Sequence, residues 1–406
     1  MRILHLLSQR PDATGSGIYV QAMLREARAR GHGNFLVAGI NAGDRGVSEN
    51  VDDDACSFVE FNGADLPFPI AGMSDVMPYP NRRFRDLTPA ELIRYQRCFE
   101  LRIQNAVARF RPDILHSHHL WLMTAFVRRL FPDLPLVTSC HGTDLRQFET
   151  CPHLQAWVRP AIQHLDAVLA LSRIQREEIL SMHGLPPERV LVTGAGYCRD
   201  LFNLPDHKPV PPPVQLIYAG KLCRAKGLPN LLRALHTIKD YSWHLTLAGG
   251  GSGPEKEECL QLAFTLGDRV TVIGAVSQPE LAFAMQKAHV FILSSFFEGL
   301  PLALLEAMAC GCRVIATEVP GVQELFQTDF SPWVTTLPTP PLRQVDRPIP
   351  GTEEAFENRL SELLQFQIQA VLNEPAIPAN EINRFLEPFT WPRVFDRIER
   401  IYQSLT

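Results

Sequence analysis

The chain has 406 residues, 46% hydrophobic and 20% charged, with a formal net charge of -5. That length suits two domains of about 150 to 200 residues each, and the composition excludes a disordered chain. The acidic balance argues against an extended nucleic-acid footprint.

The chain opens on MRILHLLSQR, an apolar run too short for a signal peptide or a membrane span, which reads as a first β-strand in a cytoplasmic protein. TGSGIYVQAMLREARARGH then places Gly15 and Gly17 between that strand and a first helix, where backbone can approach a phosphate. The pattern is not GxGxxG, and the next strand, NFLVAGI, ends without the acidic residue that a dinucleotide site uses on ribose. Asp52, Asp53 and Asp54 offer a DxD but stand away from any strand end, as a solvated loop would. Residues 59 to 90, rich in Gly, Pro and aromatics, show no period and read as a long loop or lobe.

Strands are expected next at DILHSH, PLVTSC, AVLALS and RVLVTG. Two of them end in histidines. In LHSHHLW, strand alternation points His116 and His118 one way and His119 the other, with no evident third metal ligand. In SCHGTDLRQ, His141 and Asp144 stand at a strand end with Thr143 and Arg146, where an imidazole can face a sugar or serve only as a turn residue.

After Asp206 the segment HKPVPPPV reads as an extended linker, and strand-helix alternation restarts with QLIYAG, HLTLAG, RVTVIG, VFILSS and RVIATE. Two α/β units are therefore expected: residues 1–206, residues 207–385, and a closing helix over 386–406 that returns to the first unit. Ligands of such sheets bind at the carboxyl ends of the strands, which places the site between the two units.

YAGKLCRAKGL carries Lys221 and Lys226 in a Gly-containing turn after the first strand of the second unit, a charge suited to a diphosphate. LAGGGSG, with Gly249, Gly250, Gly251 and Gly253, lacks the Lys-Ser/Thr ending of a P-loop and reads as a strand-to-helix turn lining a nucleotide. The most informative stretch is HVFILSSFFEGLPLALLEAMACGCRVIAT. Glu298 falls in a loop with Gly299 and Leu300, Pro301 opens a helix, Glu306 lies about a turn and a half inside it, and Gly311 ends it. That helix is otherwise Leu, Ala, Met and Cys, so the Glu306 carboxylate needs a donor, either a sugar hydroxyl or an arginine. Cys310 and Cys312 belong to the helix end, and the nine cysteines include no paired CxxC, so reduced thiols are expected. Residues 331–352 form a second Pro-rich surface excursion.

EGLPLALLEAMACGCRVIAT resembles the E-x7-E signature of retaining glycosyltransferases of family 4, which have the two-domain GT-B fold: two Rossmann-like domains facing each other across a deep cleft. TGSG, RGH, PDILHSH, HGTD, the LS of LALSRIQ, GAGYCRDLF, AGKLCRAKG, LAGGGSGPE and RVTVIGAV extend the likeness, in order, over most of the chain. The resemblance implies that Glu298 holds donor-sugar hydroxyls, Glu306 the ribose, and Lys221 and Lys226 the diphosphate. Gly15 and Gly17 would approach the β-phosphate, His141 would lie beside the sugar, and Gly249, Gly251, Gly299, Leu300 and Pro301 would line the donor. His118, Thr143, Asp144 and Arg146 would face the acceptor. It also implies a metal-independent enzyme with no cofactor beyond its nucleotide-sugar co-substrate, retaining anomeric configuration by attack on the face the diphosphate leaves. Nothing in the sequence supports a membrane contact.

Lys221 stands where the family commonly has arginine, Cys198 where it has aspartate, and Cys312 where it has proline. HGTD with GSG is similar to the enzymes that join N-acetylglucosamine to malate, which implies UDP-N-acetylglucosamine as donor and a small acidic acceptor, while both motifs also occur in relatives that act on lipid or polysaccharide acceptors. A non-hydrolysing sugar-nucleotide epimerase shares the scaffold, and a non-catalytic nucleotide-sugar-binding subunit would share the motifs.

Overall fold

The computed structural model describes residues 1–12, 14–44, 48, 50–75, 77–326, 333–344 and 346–406. The chain divides into two compact units, Met1–Ala195 with Trp391–Thr406, and Gly196–Thr390.

The first unit is built on β1 (Arg2–Leu7), β2 (Gly33–Asn41), β3 (Cys56–Phe61), β4 (Ile114–His118), β5 (Leu136–Ser139), β6 (Ala167–Ala170) and β7 (Val190–Val192). They lie in the order β3-β2-β1-β4-β5-β6-β7, every neighbour parallel. Near-continuous apolar runs suit such strands, which helices cover on both faces. One cover is the helix Pro89–Phe110, entered through a reciprocal Thr88–Glu91 capping box. It buries Tyr95, Phe99, Ile103 and Ala106, one stripe at helical spacing. Each large apolar side chain so buried contributes roughly 1.5–3 kcal/mol.

The second unit repeats the plan with β8 (Val214–Ala219), β9 (Trp243–Ala248), β10 (Val270–Gly274), β11 (Val290–Leu293), β12 (Arg313–Thr317) and β13 (Val334–Leu337). Their order is β10-β9-β8-β11-β12-β13, again all parallel. In both sheets the winding direction reverses between the first and fourth strands, and the crevice outside their carboxyl ends is where doubly wound sheets take ligands.

Three expectations need correction. The first boundary falls at Ala195/Gly196 rather than after Asp206, because the intervening segment packs into the second unit: Phe202 is fully buried in its core and the Tyr197 N–H donates to the Phe389 carbonyl. The apparent lobe over 59–90 overlaps the end of edge strand β3 and contains a small parallel pair, Ile70–Gly72 with Asn81–Arg83. Within 331–352, Val334–Leu337 is the edge strand of the second sheet, followed by the antiparallel pair Leu342–Gln344 and Arg347–Pro348; Ser331, Pro332 and Val345 lie outside the described residues. Edge strands bury one side only, which blurs their pattern.

The final helix, Trp391–Leu405, belongs to the first unit. It buries Trp391, Val394, Phe395, Ile398 and Tyr402, sets Trp391 edge-on against Tyr19 with centroids 5.3 Å apart, and holds Arg30 at 2.7 Å from both Asp396 and Glu399. Among the described residues no helix is long and apolar enough to cross a membrane.

Candidate functional site

At the carboxyl end of β8 the chain turns through Gly220 and Lys221 and is zipped to the loop after β9: Gly220 N–H donates to the Ala248 carbonyl and Leu222 N–H to that of Gly250, both at 2.9 Å. Gly249 has φ +148, and a Cβ there would sit 1.8 Å from the Gly220 carbonyl oxygen. Its side-chain-free backbone is thus demanded by loop packing as well as suited to a ligand. Lys221 is exposed, and its carbonyl accepts from the Tyr218 hydroxyl at 2.7 Å.

Lys226 ends a short turn, Arg224–Lys226, that is pinned from β11's side. The Ser294 hydroxyl donates to the Lys226 carbonyl at 3.0 Å, and Phe296 N–H donates to that of Ala225 at 3.0 Å. Gly227 at φ +62 lies so close that a Cβ would fall 1.9 Å from the Ser294 carbonyl oxygen. These contacts bring the two halves of the switch point together, and the Lys226 ammonium meets the Glu298 carboxylate at 2.7 Å. The side chains are 27% and 17% exposed, so the pair is reachable by a ligand yet partly shielded from water. The Glu298 loop is backed by Gly321, where a Cβ would stand 2.2 Å from the Gly299 carbonyl oxygen.

Helix Leu302–Ala309 begins just after a buried Pro301, and Gly311 at φ +72 ends it. Glu306 is 6% exposed, and burial alone raises its carboxyl pKa to about 7. Among the described residues no arginine answers that carboxylate. A buried carboxylate without a donor is costly, which favours a ligand hydroxyl as its partner over the structural ion pair.

In the first unit, Thr14 caps the helix Gly15–Ala29 by accepting from the Gly17 N–H at 3.1 Å. A Cβ on Gly17 would lie 2.9 Å from the Pro11 backbone, whereas one on Gly15 meets nothing within 4 Å. Buried Gln9, not foreseen from sequence, braces this loop by donating to Thr14 at 3.1 Å and Ser16 at 2.7 Å.

Beyond β4 and β5, His118 Nδ1 and His141 Nε2 are 3.4 Å apart. Burial lowers the His141 pKa to about 3, so at neutral pH it offers a neutral imidazole rather than a proton-donating cation. His119 leaves the strand at φ +79 and its ring packs edge-on 5.0 Å from that of His141. Asp144 is fully buried and accepts from Leu120 N–H at 2.7 Å and His141 N–H at 3.1 Å. Its carboxylate is engaged in tying two site loops together, which corrects the expectation that it faces an acceptor. Thr143 is half-buried and Arg146 exposed on the same helix, Thr143–Thr150. The missing third histidine beside His116 and His118 is His5 of β1, opposite His116 in the β1–β4 register; only strand pairing reveals it. Asp52, Asp53 and Asp54 are exposed, away from these strand ends.

Two parallel doubly wound units of this kind, each with loops at its switch point, define the GT-B class. Solved structures share that fold: sucrose-phosphate synthase of Thermosynechococcus elongatus (TM-score 0.70, 20% identity, 100% of this chain and 99% of that one) and Anabaena HepE in complex with UDP-glucose (TM-score 0.66, 17% identity, 100% of both). Residues 14–196 match the glycosyl transferase 4-like domain and residues 203–338 the glycosyl transferases group 1 model, and the chain belongs to this family, the family 4 glycosyltransferases. Relatives include the amylovoran biosynthesis glycosyltransferase AmsK of Erwinia amylovora, 30% identical over 49% of this chain and 50% of that protein. The D-inositol 3-phosphate glycosyltransferase 1 of Catenulispora acidiphila is 26% identical over 72% of each. An Arabidopsis thaliana subunit of phosphatidylinositol N-acetylglucosaminyltransferase is 23% identical over 53% of this chain and 49% of that one. The matches to the Erwinia and Arabidopsis proteins thus span about half the length of each relative.

Proposed function

We propose that the protein is a retaining hexosyltransferase that moves N-acetylglucosamine from UDP-N-acetylglucosamine to an acceptor hydroxyl. The observation that carries this reading is the Lys226–Glu298 pair at 2.7 Å on the switch point of the second sheet, beside a helix whose buried Glu306 has no arginine partner among the described residues. A nucleoside diphosphate sugar answers all three groups: its diphosphate takes the lysine charge, its sugar hydroxyls donate to Glu298, and its ribose hydroxyls donate to Glu306.

In the reaction the bond between the anomeric carbon and the diphosphate oxygen breaks, and the electron pair leaves with the UDP. Lys226, with Lys221, stabilises that developing charge. The acceptor oxygen bonds the anomeric carbon on the same face, and its proton passes to the departing phosphate. No protein nucleophile is required, and neutral His141 serves as a hydrogen-bonding neighbour of the sugar. Arg146, exposed beside the HGTD turn, is the group to meet an anionic acceptor. UDP as the nucleotide is supported by the HepE complex, and N-acetylglucosamine by the name of the Arabidopsis relative.

The test is a thermal-shift screen of nucleotide sugars followed by transfer assays on hydroxyl acceptors. UDP-N-acetylglucosamine should give the largest shift and yield an α-glycoside from its α-linked donor. An epimer formed without acceptor, or a β-glycoside, overturns the proposal.

A further inference from the structure

The face of the first sheet under its last helix carries a cluster to which the proposed transfer assigns no step; its His118 is fully buried, which corrects the expectation that it faces the acceptor. His5 and His116 are directly paired across β1 and β4, and His118 follows two residues later on the same face. All three are fully buried. One candidate ligand atom from each lies within 4.8 Å of the others, and the His116 and His118 rings stack at 4.3 Å.

Imidazoles in such a place need partners. Neither ring nitrogen of His5 nor Nε2 of His118 has a partner at good hydrogen-bond geometry, the Asn34 side chain interacting only loosely with His5. The rest of the cluster is oriented: His118 Nδ1 faces His141 at 3.4 Å, while His116 Nδ1 meets the Tyr402 hydroxyl at 2.5 Å and its Nε2 the Ser139 hydroxyl at 2.8 Å. Metal-binding histidines are commonly held through the nitrogen that does not bind, as His118 is here, whereas both nitrogens of His116 are engaged.

We propose that His5, His116 and His118 form a binding site for a transition-metal dication of the zinc type. Nitrogen ligands suit Zn²⁺, whereas Mg²⁺ and Ca²⁺ demand oxygens. Nitrogens about 2.0–2.1 Å from a tetrahedral zinc stand roughly 3.4 Å apart. The present span of up to 4.8 Å closes to that by rotation of the rings about their broad second torsion, with the His116 Nε2 hydrogen bond to Ser139 giving way and that to Tyr402 kept. A water or hydroxide completes three-histidine sites and offsets the buried charge. The metal joins β1, β4 and, through Tyr402, the last helix, so it stabilises the first unit; no step of the transfer reaction runs through it.

The test uses the full chain freed of metal by a chelator, titrated with Co²⁺ and then Zn²⁺. The expected result is a 1:1 complex with a tetrahedral cobalt spectrum lacking the thiolate charge-transfer band, displaced by Zn²⁺, and a rise in Tm. Affinity should fall at least tenfold in His5→Phe and in His118→Gln and be unchanged in the exposed His207→Ala. A thiolate band, an unchanged titration in folded His5→Phe, or no spectrum in the wild-type chain overturns the proposal. The wild-type spectrum decides the matter even if both variants fail to fold.

Discussion

The two sheets share one winding order but carry opposite chemistry at their switch points. After β8 and β11 stand an ammonium and a carboxylate in contact, with a second carboxylate buried nearby; after β4 and β5 stand imidazoles that burial keeps neutral. The shared topology gives both units loops at a switch point, and the side chains explain why the proposed function assigns the diphosphate to the lysines of the second. A fold supplies position, and the residues on its loops supply polarity.

The sharpest way to break this contrast is by activity. Lys226→Ala and Glu298→Ala should each lower kcat by roughly 10²–10³, the range for removing one transition-state stabilising group. His141→Asn should cost only about tenfold, as expected for orientation rather than charge stabilisation. Steady-state kinetics on folded variants measure both, and an equal loss at His141 would erase the difference between the sites.

Stability against pH provides the second contrast, since a buried acid of the second unit and a buried base of the first carry shifts of opposite sign. Glu306, raised to about 7, binds a proton in the folded state that the unfolded chain has released. Its contribution therefore falls as pH rises from about 4.5 to 7, by up to roughly 3 kcal/mol. His183, lowered to about 4 by burial and then by the nearby Arg159 charge, stays neutral where the unfolded chain is protonated. Its contribution is lost as pH falls from about 6.5 to 4, by a similar amount. Relative to wild type, Glu306→Gln should thus gain stability with rising pH across the first window, and His183→Phe should gain it with falling pH across the second. Denaturant titrations at several pH values follow both.

Backbone substitution gives a smaller effect. Gly227→Ala should destabilise by about 2 kcal/mol or more, through its positive φ and the clash with Ser294. Gly15→Ala, with open space around it, should change stability by less than about 0.5 kcal/mol. Equal melting temperatures for the two variants would remove the distinction between a glycine demanded by packing and one that is not. The smallest signal is a fraction of a proton: a ribose donating to Glu306 favours its ionised form, so UDP binding near pH 7 should release protons, and Glu306→Gln should not. Calorimetry in buffers of different ionisation enthalpy measures this.

Much of the architecture was legible because central parallel strands are apolar on both faces, so RILHLL, QLIYAG and VFILSS declare themselves locally. Glu298, Glu306 and Lys226 were equally legible, one as a carboxylate in an apolar helix and the others as charges in glycine-bearing turns. CSFVEF and VTTL were not, because edge strands bury one side and mix polar with apolar residues. Gly321 carried a local hint in its Pro-Gly helix start, but no local signal shows that it backs the Glu298 loop.

The sequence alone determined the two α/β units, the family resemblance and the charged groups of the second unit, since each is written in contiguous residues. Tertiary structure alone decided that Lys226 pairs with Glu298, 72 positions away, that Asp144 is consumed by loop N–H groups, and that His5 completes a cluster with His116 and His118. Those outcomes depend on strand register and loop packing, which bring together residues whose separation along the chain carries no mark of their meeting.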